Sequence, residues 1–256
     1  MMKIVFIGAG RLATNLAPEL YNNSFHIIQI YSRTIESAKK LADKVDASYT
    51  RNINEINTTA DLYIFSLKDS VLADIIEQLP PVSGICVHTS GSIPMNIFEG
   101  HVSRYGVLYP FQTFSIDRKV DFKKIPLLLE SNNENDMTLL HSICNKISDK
   151  VHNLSSEKRQ YIHLTGVFAC NFVNHMYAIS EKILQKEDIP FDIVLPLIDE
   201  TAAKVHTLSP LEAQTGPAMR YDENIINKHI GLIDDPILKS MYTLISESIH
   251  NFTKNN

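Results

Sequence analysis

The sequence contains little cysteine, no tryptophan and no long hydrophobic run. Its three cysteines, Cys86, Cys144 and Cys170, lie far apart along the 256 residues and form no C-x-x-C pair. This pattern argues against a disulfide framework and is typical of reduced core thiols in a cytoplasmic protein. The ten histidines form no H-x-H or H-E-x-x-H pattern, so we expect no metal site.

Positive charge is not in excess either. Lysine and arginine number 24 against 29 acidic residues, which gives a net charge of -5. This balance gives no reason to expect nucleic acid or an anionic membrane as a partner. No apolar run approaches the roughly 20 residues of a membrane span, and no signal peptide precedes the first strand pattern. We therefore expect a cytoplasmic protein that binds a small molecule, not nucleic acid or a membrane.

The most informative segment is a glycine turn, G-x-G-x-x-A, that directly follows the apolar run 4–7 and opens a helix-like stretch. Gly8 allows a sharp turn, Gly10 lets backbone N–H groups approach a diphosphate, and Ala13 lets the helix pack on the strand. The alternative is a tight strand–helix turn without a ligand. The dinucleotide interpretation places the cofactor against Gly8, Ala9, Gly10, Arg11 and Leu12.

The second predicted strand ends in Tyr31-Ser32-Arg33-Thr34, with no acidic residue for a ribose 2′-hydroxyl. Arg33 can pair with a 2′-phosphate, and Ser32 and Thr34 can donate hydrogen bonds to it. This pattern favours NADP over NAD as the cofactor. The alternative is that Arg33 is a solvated loop cation.

Two further turns follow predicted strands, and strand ends face the ligand crevice in such sheets. In the turn 66–69, backbone groups should pass the ribose and nicotinamide, and Lys68 can reach a hydroxyl or the substrate. In the turn 88–91, His88 is a candidate catalytic group, with a plain polar turn as the equal alternative. The predicted cofactor contacts in these turns are Ser66, Leu67, Lys68, Thr89 and Ser90.

The hydrophobic pattern changes near residue 155. Before it, apolar runs alternate with amphipathic stretches; after it, only helical periodicity remains. We predict an α/β chain: a Rossmann-type, doubly wound, mostly parallel sheet over 1–155, then an all-helical domain over 156–256. Strands are predicted at 4–7, 27–31, 62–65, 85–87, 107–109 and 126–129, and helices at 35–45, 71–79, 136–147, 155–187, 192–207, 222–230 and 236–251.

One predicted helix is apolar almost all round between Leu164 and Tyr177. Such a helix is buried on most sides, either within its own domain or against a second subunit. We therefore expect a homodimer that forms through the C-terminal helices.

The N-terminal half resembles the dinucleotide domains of pyrroline-5-carboxylate reductases, ketopantoate reductases and coenzyme-F420-dependent NADP oxidoreductases. The turn 66–69 is similar to the Val-Lys-Pro turn of the first of these. Nearly the whole chain resembles the family that joins a Rossmann-like domain to a DUF2520 domain. Its matching segments are His88–Gly91, Tyr109–Phe114 and Thr215–Asp222, followed by His229. In place of the family's usual histidine and glycine, this chain has Tyr109 before the proline and Tyr221 after Arg220.

In relatives of this architecture, the substrate sits between the domains against the long helix. A resemblance to β-hydroxyacid dehydrogenases implies a lysine and an asparagine there, but the lysine is missing. His175 can replace it as general acid, and Asn171, four residues earlier, would share its face. A hydrogen-bonded core histidine is the alternative. Asn174 and Arg220 are the candidate substrate contacts, although Arg220 can equally form an ion pair with Asp222.

These expectations lead to an NADP-dependent oxidoreductase that transfers a hydride between NADP(H) and a small carbonyl, imine or hydroxyacid. The alternative is a non-catalytic NADP-binding or redox-sensing dimer, which the missing lysine favours. A deazaflavin as redox partner rests on fold analogy alone. The substrate, the reaction direction and the pathway do not follow from the sequence.

Overall fold

An eight-stranded sheet forms the first part of the chain in a computed structural model that describes residues 1–254. The strand order is β3-β2-β1-β4-β5-β6-β7-β8, and every neighbouring pair is parallel except β6 and β7. The strands are β1 Lys3–Ile7, β2 His26–Tyr31, β3 Ser48–Thr50, β4 Leu62–Phe65, β5 Ile85–His88, β6 Tyr105–Pro110, β7 Leu127–Ser131 and β8 Val151–Asn153. This order confirms the doubly wound, mostly parallel sheet.

The central strands are apolar at successive positions because both faces of the sheet are covered. In β1, Ile4 and Phe6 point into one core cluster, and Val5 and Ile7 point into the other. All four side chains are fully buried, and each such burial contributes roughly 1.5–3 kcal/mol. The chain runs outward from β1 to β3 and then returns to β4, so β1 and β4 flank the point where the sheet reverses direction. Ligands bind at such switch points.

Four helices accompany these strands: α1 Arg11–Asn22, α2 Ile35–Ala42, α3 Leu72–Glu77 and α4 Glu134–Ile147. The helix α1 starts directly at the glycine turn, where the Thr14 N–H donates to the Gly10 carbonyl at 2.9 Å. Ala13 and Leu16 on its inner face are fully buried. Ala13 thus packs α1 on the sheet, as the glycine motif predicts.

The helical part of the chain begins with one long run that is not a uniform α-helix. It consists of α5 Ser156–Gly166, the π-helical turns Val167–Phe172 and α6 Val173–Lys186. The later helices are α7 Leu195–Lys204, α8 Pro217–Arg220, α9 Glu223–Leu232 and α10 Pro236–Lys254. Within residues 1–254, no helix is both long and apolar enough to cross a membrane.

The chain divides into two compact units, Met1–His175 and Met176–Asn256. The first unit extends past residue 155 because the start of α5 is fixed to it. The Arg159 guanidinium, almost fully buried, bonds to the Glu130 carboxylate at 2.5 Å and to the Ile93 carbonyl at 2.6 Å. Ser155 caps α5 by accepting a hydrogen bond from the Lys158 N–H.

Two strands and one burial state differ from the sequence-based expectations. The strands β3 and β8 are not among the predicted strands. Each has three residues and is largely exposed, and its sequence therefore has no apolar pattern that would indicate a strand. The apolar residues of the long helix are not buried within the chain. Leu164, Phe168 and Phe172 are 51%, 61% and 49% exposed. The prediction of burial within its own domain is therefore wrong.

Candidate functional site: a dinucleotide groove

Gly8 closes the turn between β1 and α1. Its φ of +115° lies in the left-handed region, and its N–H donates to the Tyr31 carbonyl at 2.8 Å. A Cβ at this position would lie 2.1 Å from the Ser66 carbonyl oxygen at the end of β4. Because only glycine suits both the backbone angle and the close approach, the protein itself requires Gly8.

Gly10 shows the opposite behaviour. Its φ of -81° suits any residue. Apart from Gly10 and its two chain neighbours, no atom of residues 1–254 lies within 4 Å of the place where its Cβ would stand. The protein therefore gives no steric reason for glycine here. The open space adjoins the first amides of α1, where unpaired N–H groups and the helix dipole favour an anion. A diphosphate fits this space because it can approach the bare backbone.

A groove of about 760 Å³ runs from this turn past the ends of β2, β4 and β5, within the roughly 300–1,000 Å³ of typical ligand sites. It brings together every residue predicted to contact the cofactor except Ser90. The lining residues are Gly8, Ala9, Gly10, Arg11, Leu12, Tyr31, Ser32, Arg33, Thr34, Ser37, Ser66, Leu67, Lys68, Val71, Ile75 and Thr89. Ser37, Val71 and Ile75 belong to no motif, and Tyr31, although it stands in the segment 31–34, is not among the predicted contacts.

The charge of the groove is positive. Among the residues that the structure describes, Arg11, Arg33 and Lys68 line it and no carboxylate does. Arg33 is exposed at the end of β2, and its side chain has no ion-pair or hydrogen-bond partner within residues 1–254. A cationic groove on a chain of net charge -5 favours an anionic ligand. A free guanidinium beside hydroxyl side chains suits a phosphate.

His88 ends β5 but does not line the groove. It is fully buried, its ring stacks on Phe98 at 5.8 Å, and its Nδ1 accepts a hydrogen bond from the Ser90 N–H at 3.2 Å. Burial, followed by the positive charge of Arg159, lowers the pKa of His88 to about 3. A buried neutral histidine opposes the predicted catalytic role and favours the alternative of a structural turn residue.

Ser90 also supports the turn after β5. Its Oγ accepts hydrogen bonds from the N–H groups of Ser92 and Ile93 at 3.1 and 3.0 Å. Thr89 is the residue of this turn that lines the groove, and its Oγ1 donates to the Phe65 carbonyl at 3.2 Å. Of the two predicted cofactor contacts in this turn, Thr89 lines the groove and Ser90 does not.

We expect His88 to make the free energy of unfolding depend on pH. The unfolded chain binds a proton at His88 below about pH 6.5, whereas the folded chain binds it only near pH 3. Stability from this group is therefore fully present above pH 6.5, and it falls by about 1.4 kcal/mol per pH unit as the pH decreases toward 3. Denaturant unfolding between pH 6.5 and 3 should give a steeper slope for the wild type than for His88→Asn, by up to about 1.4 kcal/mol per pH unit. Equal slopes would contradict a buried, neutral His88.

Tyr109 and His163 form a polar pair beside the turn that follows β5. Tyr109 Oη lies 2.9 Å from His163 Nδ1. A Cβ on Gly91 would lie 2.5 Å from His163 Nδ1 and 2.8 Å from Tyr109 Cζ, so this packing requires glycine. Gly91 and Tyr109 belong to segments identified in the sequence, but His163 stands in no motif. Only the fold brings the three together.

The predicted residues of the long helix do not form a defined cluster. Asn171, Asn174 and His175 are all exposed. The expectation that Asn171 and His175 share a face assumes α-helical spacing, but Asn171 lies in the π-helical turns. Because a π turn is wider than an α turn, the four-residue rule does not apply there. Their catalytic and substrate roles stay predictions.

The segment 215–222 turns the backbone, since Gly216 has a φ of +104° and Pro217 opens α8. The Asp222 carboxylate caps α9 by accepting from the Ile225 N–H at 3.3 Å. Within residues 1–254, no ion pair joins Asp222 to Arg220, which is exposed. The ion-pair alternative is therefore wrong, and substrate binding by Arg220 stays a prediction.

A second cavity lacks the features of a diphosphate site. It has about 420 Å³, lies among α6, α9 and α10, and is lined mainly by apolar side chains, with His229 and Tyr242 bonded to each other at 2.8 Å. It contains neither a glycine turn nor a lysine or arginine among its described lining residues. No group of three or more His, Cys, Asp or Glu placed to hold a metal occurs in residues 1–254.

The fold and the groove define a dinucleotide-binding protein of the Rossmann class, and comparisons with known proteins agree. The family described as NADP oxidoreductase, coenzyme F420-dependent, matches residues 3–86, and the family DUF2520 matches residues 125–249. The crystal structure of a "putative NADP oxidoreductase" from Bacteroides fragilis has 53% identity, covers 98% of each chain and superposes with a TM-score of 0.92. No curated protein matches the chain.

More distant structures share the fold alone. A protein from Thermotoga maritima has 20% identity, 98% coverage of each chain and a TM-score of 0.73. A 1-pyrroline-5-carboxylate reductase from Streptococcus pyogenes has 15% identity, a TM-score of 0.63, and coverage of 100% of this chain and 99% of the other. The chain belongs to the family that joins an NADP oxidoreductase domain to a DUF2520 domain. This is a family of NAD(P)-dependent oxidoreductases.

Proposed function

We propose that this protein is an NADP(H)-dependent oxidoreductase acting on a small carbonyl, imine or hydroxyacid. One observation supports this most directly: the groove combines an open glycine turn with three cations and, among the described residues, no carboxylate. NADP carries a diphosphate and a 2′-phosphate, and the groove has a cationic or amide partner for each. An NAD site would instead place an acid at the end of β2.

The residues of the groove divide the work of holding the cofactor. The first amides of α1 bind the diphosphate beside Gly10, and Arg33 binds the 2′-phosphate with Ser32 and Thr34. The ends of β4 and β5, at Lys68 and Thr89, hold the nicotinamide half. When bound, the cofactor supplies or accepts the hydride, and the protein orients the reacting carbon and excludes water.

The test is a screen of NADPH oxidation with small 2-oxo acids, cyclic imines and aldehydes, with NADH in parallel. Turnover of at least one compound, faster with NADPH, is expected. Binding of NADPH without turnover of any compound would favour the alternative of a redox-sensing protein. A preference for NADH would contradict the assignment of the cofactor.

On the substrate side, we propose His175 and Asn171 as catalytic groups, and Asn174 and Arg220 as substrate contacts. All four side chains are exposed and accessible to a ligand. The variant His175→Ala should turn over the compound that the screen identifies more slowly than the wild type does. Here His175 would contact the substrate, and full turnover in this variant would show that it is not a catalytic group.

We also propose a homodimer through the long helix. Apolar side chains as exposed as Leu164, Phe168 and Phe172 are unusual for a monomer, and a second copy can cover them. Light scattering at micromolar concentration should give the mass of a dimer, and Phe168→Glu should shift it toward a monomer. Ile116→Glu changes a similarly exposed residue, 52%, on a loop outside this helix and should leave the dimer intact. A monomeric wild type would contradict the proposal.

A further inference from the structure

The pair Tyr109–His163 lies at the edge of the sheet where the nicotinamide end of the groove is expected. β6 is parallel to β5, so Tyr109, near the carboxyl end of β6, lies at the same edge as the turn 89–91. Thr89 lines the groove, and Gly91, two residues later, contacts both members of the pair. The pair therefore adjoins the groove through one short turn.

The surroundings of the pair are apolar on one side and charged on the other. Phe111 packs on Tyr109, with ring centroids 6.2 Å apart, and fits against Gly166 of α5. Burial raises the pKa of Tyr109 to about 12; the Arg159 cation opposes this shift, and the Asp69 carboxylate adds to it. The Tyr109 hydroxyl is therefore protonated at neutral pH and can act as a proton donor.

We propose that Tyr109 and His163 form the proton relay of the reaction, with Tyr109 Oη as the donor and His163 as its source. This inference rests on the proposed function. Among the described residues, the groove itself offers only Arg11, Tyr31, Arg33 and Lys68 as titratable groups, and Arg33 and Tyr31 lie at the 2′-phosphate end. His88 is buried away from the groove. At the nicotinamide end this leaves Lys68, which lines the groove, and the pair Tyr109–His163, which adjoins it through the turn 89–91.

The proposed step balances as follows for a ketone. The new C–H bond on the substrate would form with the hydride released when a C–H bond of NADPH breaks, NADPH being oxidised to NADP⁺, and the C=O π bond breaks toward oxygen. That oxygen takes the proton of Tyr109 Oη, and the Tyr109 oxygen recovers a proton from His163 Nδ1. As His163 gives up the Nδ1 proton, its Nε2 takes a proton from solvent, so the ring stays neutral and changes tautomer; His163 is partly exposed. An imine reacts in the same way at nitrogen. The scheme requires that Nδ1 carries the hydrogen in the 2.9 Å bond to Tyr109 before the reaction.

The experiment is ¹⁵N NMR of the histidine rings in full-length protein saturated with NADPH or NADP⁺, with His163 assigned through His163→Gln. We expect Nδ1 of His163 to be protonated in the NADPH complex. Its resonance should change when NADP⁺ replaces NADPH, because the positive ring of NADP⁺ would lie near Tyr109. Tyr109→Phe should abolish this difference. Tyr105→Phe, which removes the same hydroxyl near the opposite end of β6, should preserve it.

Calorimetry on the same samples separates the two proposals. If both nucleotides bind but Nδ1 is unprotonated, or the His163 signals are identical in the two complexes, the relay is wrong and the cofactor assignment stands. If neither nucleotide binds, the proposed function fails, and the relay fails with it. For any compound that the wild type reduces, Tyr109→Phe should lower kcat about 100-fold at unchanged NADPH affinity, and Tyr105→Phe should not.

Discussion

Arg33→Glu should lower the affinity for NADPH by about 100- to 1,000-fold while changing the affinity for NADH by less than about tenfold. In the wild type, the exposed Arg33 guanidinium forms no hydrogen bond or ion pair within residues 1–254 and is available to bind a 2′-phosphate. The variant removes a charge-assisted hydrogen bond and places a carboxylate near two negative charges. NADH has a 2′-hydroxyl at this position, so the affinity for NADH should fall little. The new carboxylate can accept a hydrogen bond from that hydroxyl.

Calorimetric titration with both nucleotides measures this selectivity. Arg118→Glu is the matched control, because it makes the same charge change at an arginine that does not line the groove. It should alter the two affinities equally and only slightly. If Arg33→Glu lowered the affinities for NADPH and NADH equally, Arg33 would contribute only general positive charge and would not recognise the 2′-phosphate.

Substitution of the two turn glycines should separate folding from binding. Gly8→Ala should destabilise the fold by about 3 kcal/mol or more, since its Cβ would enter the Ser66 carbonyl and its φ is +115°. Gly10→Val should change the free energy of unfolding by less than about 1 kcal/mol, because, apart from residue 10 and its two chain neighbours, no atom of residues 1–254 lies within 4 Å of the new Cβ. The same side chain would fill the space above the α1 amides and lower nucleotide affinity at least about 100-fold.

Denaturant unfolding and nucleotide titration of each variant test this separation. Gly100→Ala serves as a control, because Gly100 has a φ of +80° but lies outside the groove. It should be strained, yet bind NADPH as the wild type does. Loss of stability in Gly10→Val, or wild-type binding by it, would remove the argument that Gly10 is glycine because of a ligand.

Much of the sheet is predictable from sequence because its strands are buried on both faces. The runs Ile4–Ile7, Leu62–Phe65 and Ile85–Val87 are apolar at every position, and each is a strand. The edge strands β3 and β8 have few buried residues and no such pattern. Likewise, the sequence predicts the long helix but not its π-helical turns, because no hydrophobic period marks the extra residue.

The candidate site divides in the same way. The glycines and strand-end residues of the groove can be predicted from local motifs. Such a motif works through the conformation of a short stretch of backbone and a few neighbouring residues. His88 looks equally functional in the sequence, but the fold buries it against Phe98. His163 shows no signal at all, because its partner Tyr109 lies on a distant strand. Contacts between remote segments need the fold itself.

The most direct test of the central claim, that the amides at the start of α1 bind the diphosphate of NADP, is calorimetric titration of the wild type and Gly10→Val with NADPH. Saturable binding to the wild type and its loss in a Gly10→Val protein of unchanged stability are the predicted result. Absence of binding to the wild type, with NADH also failing to bind, would contradict the account.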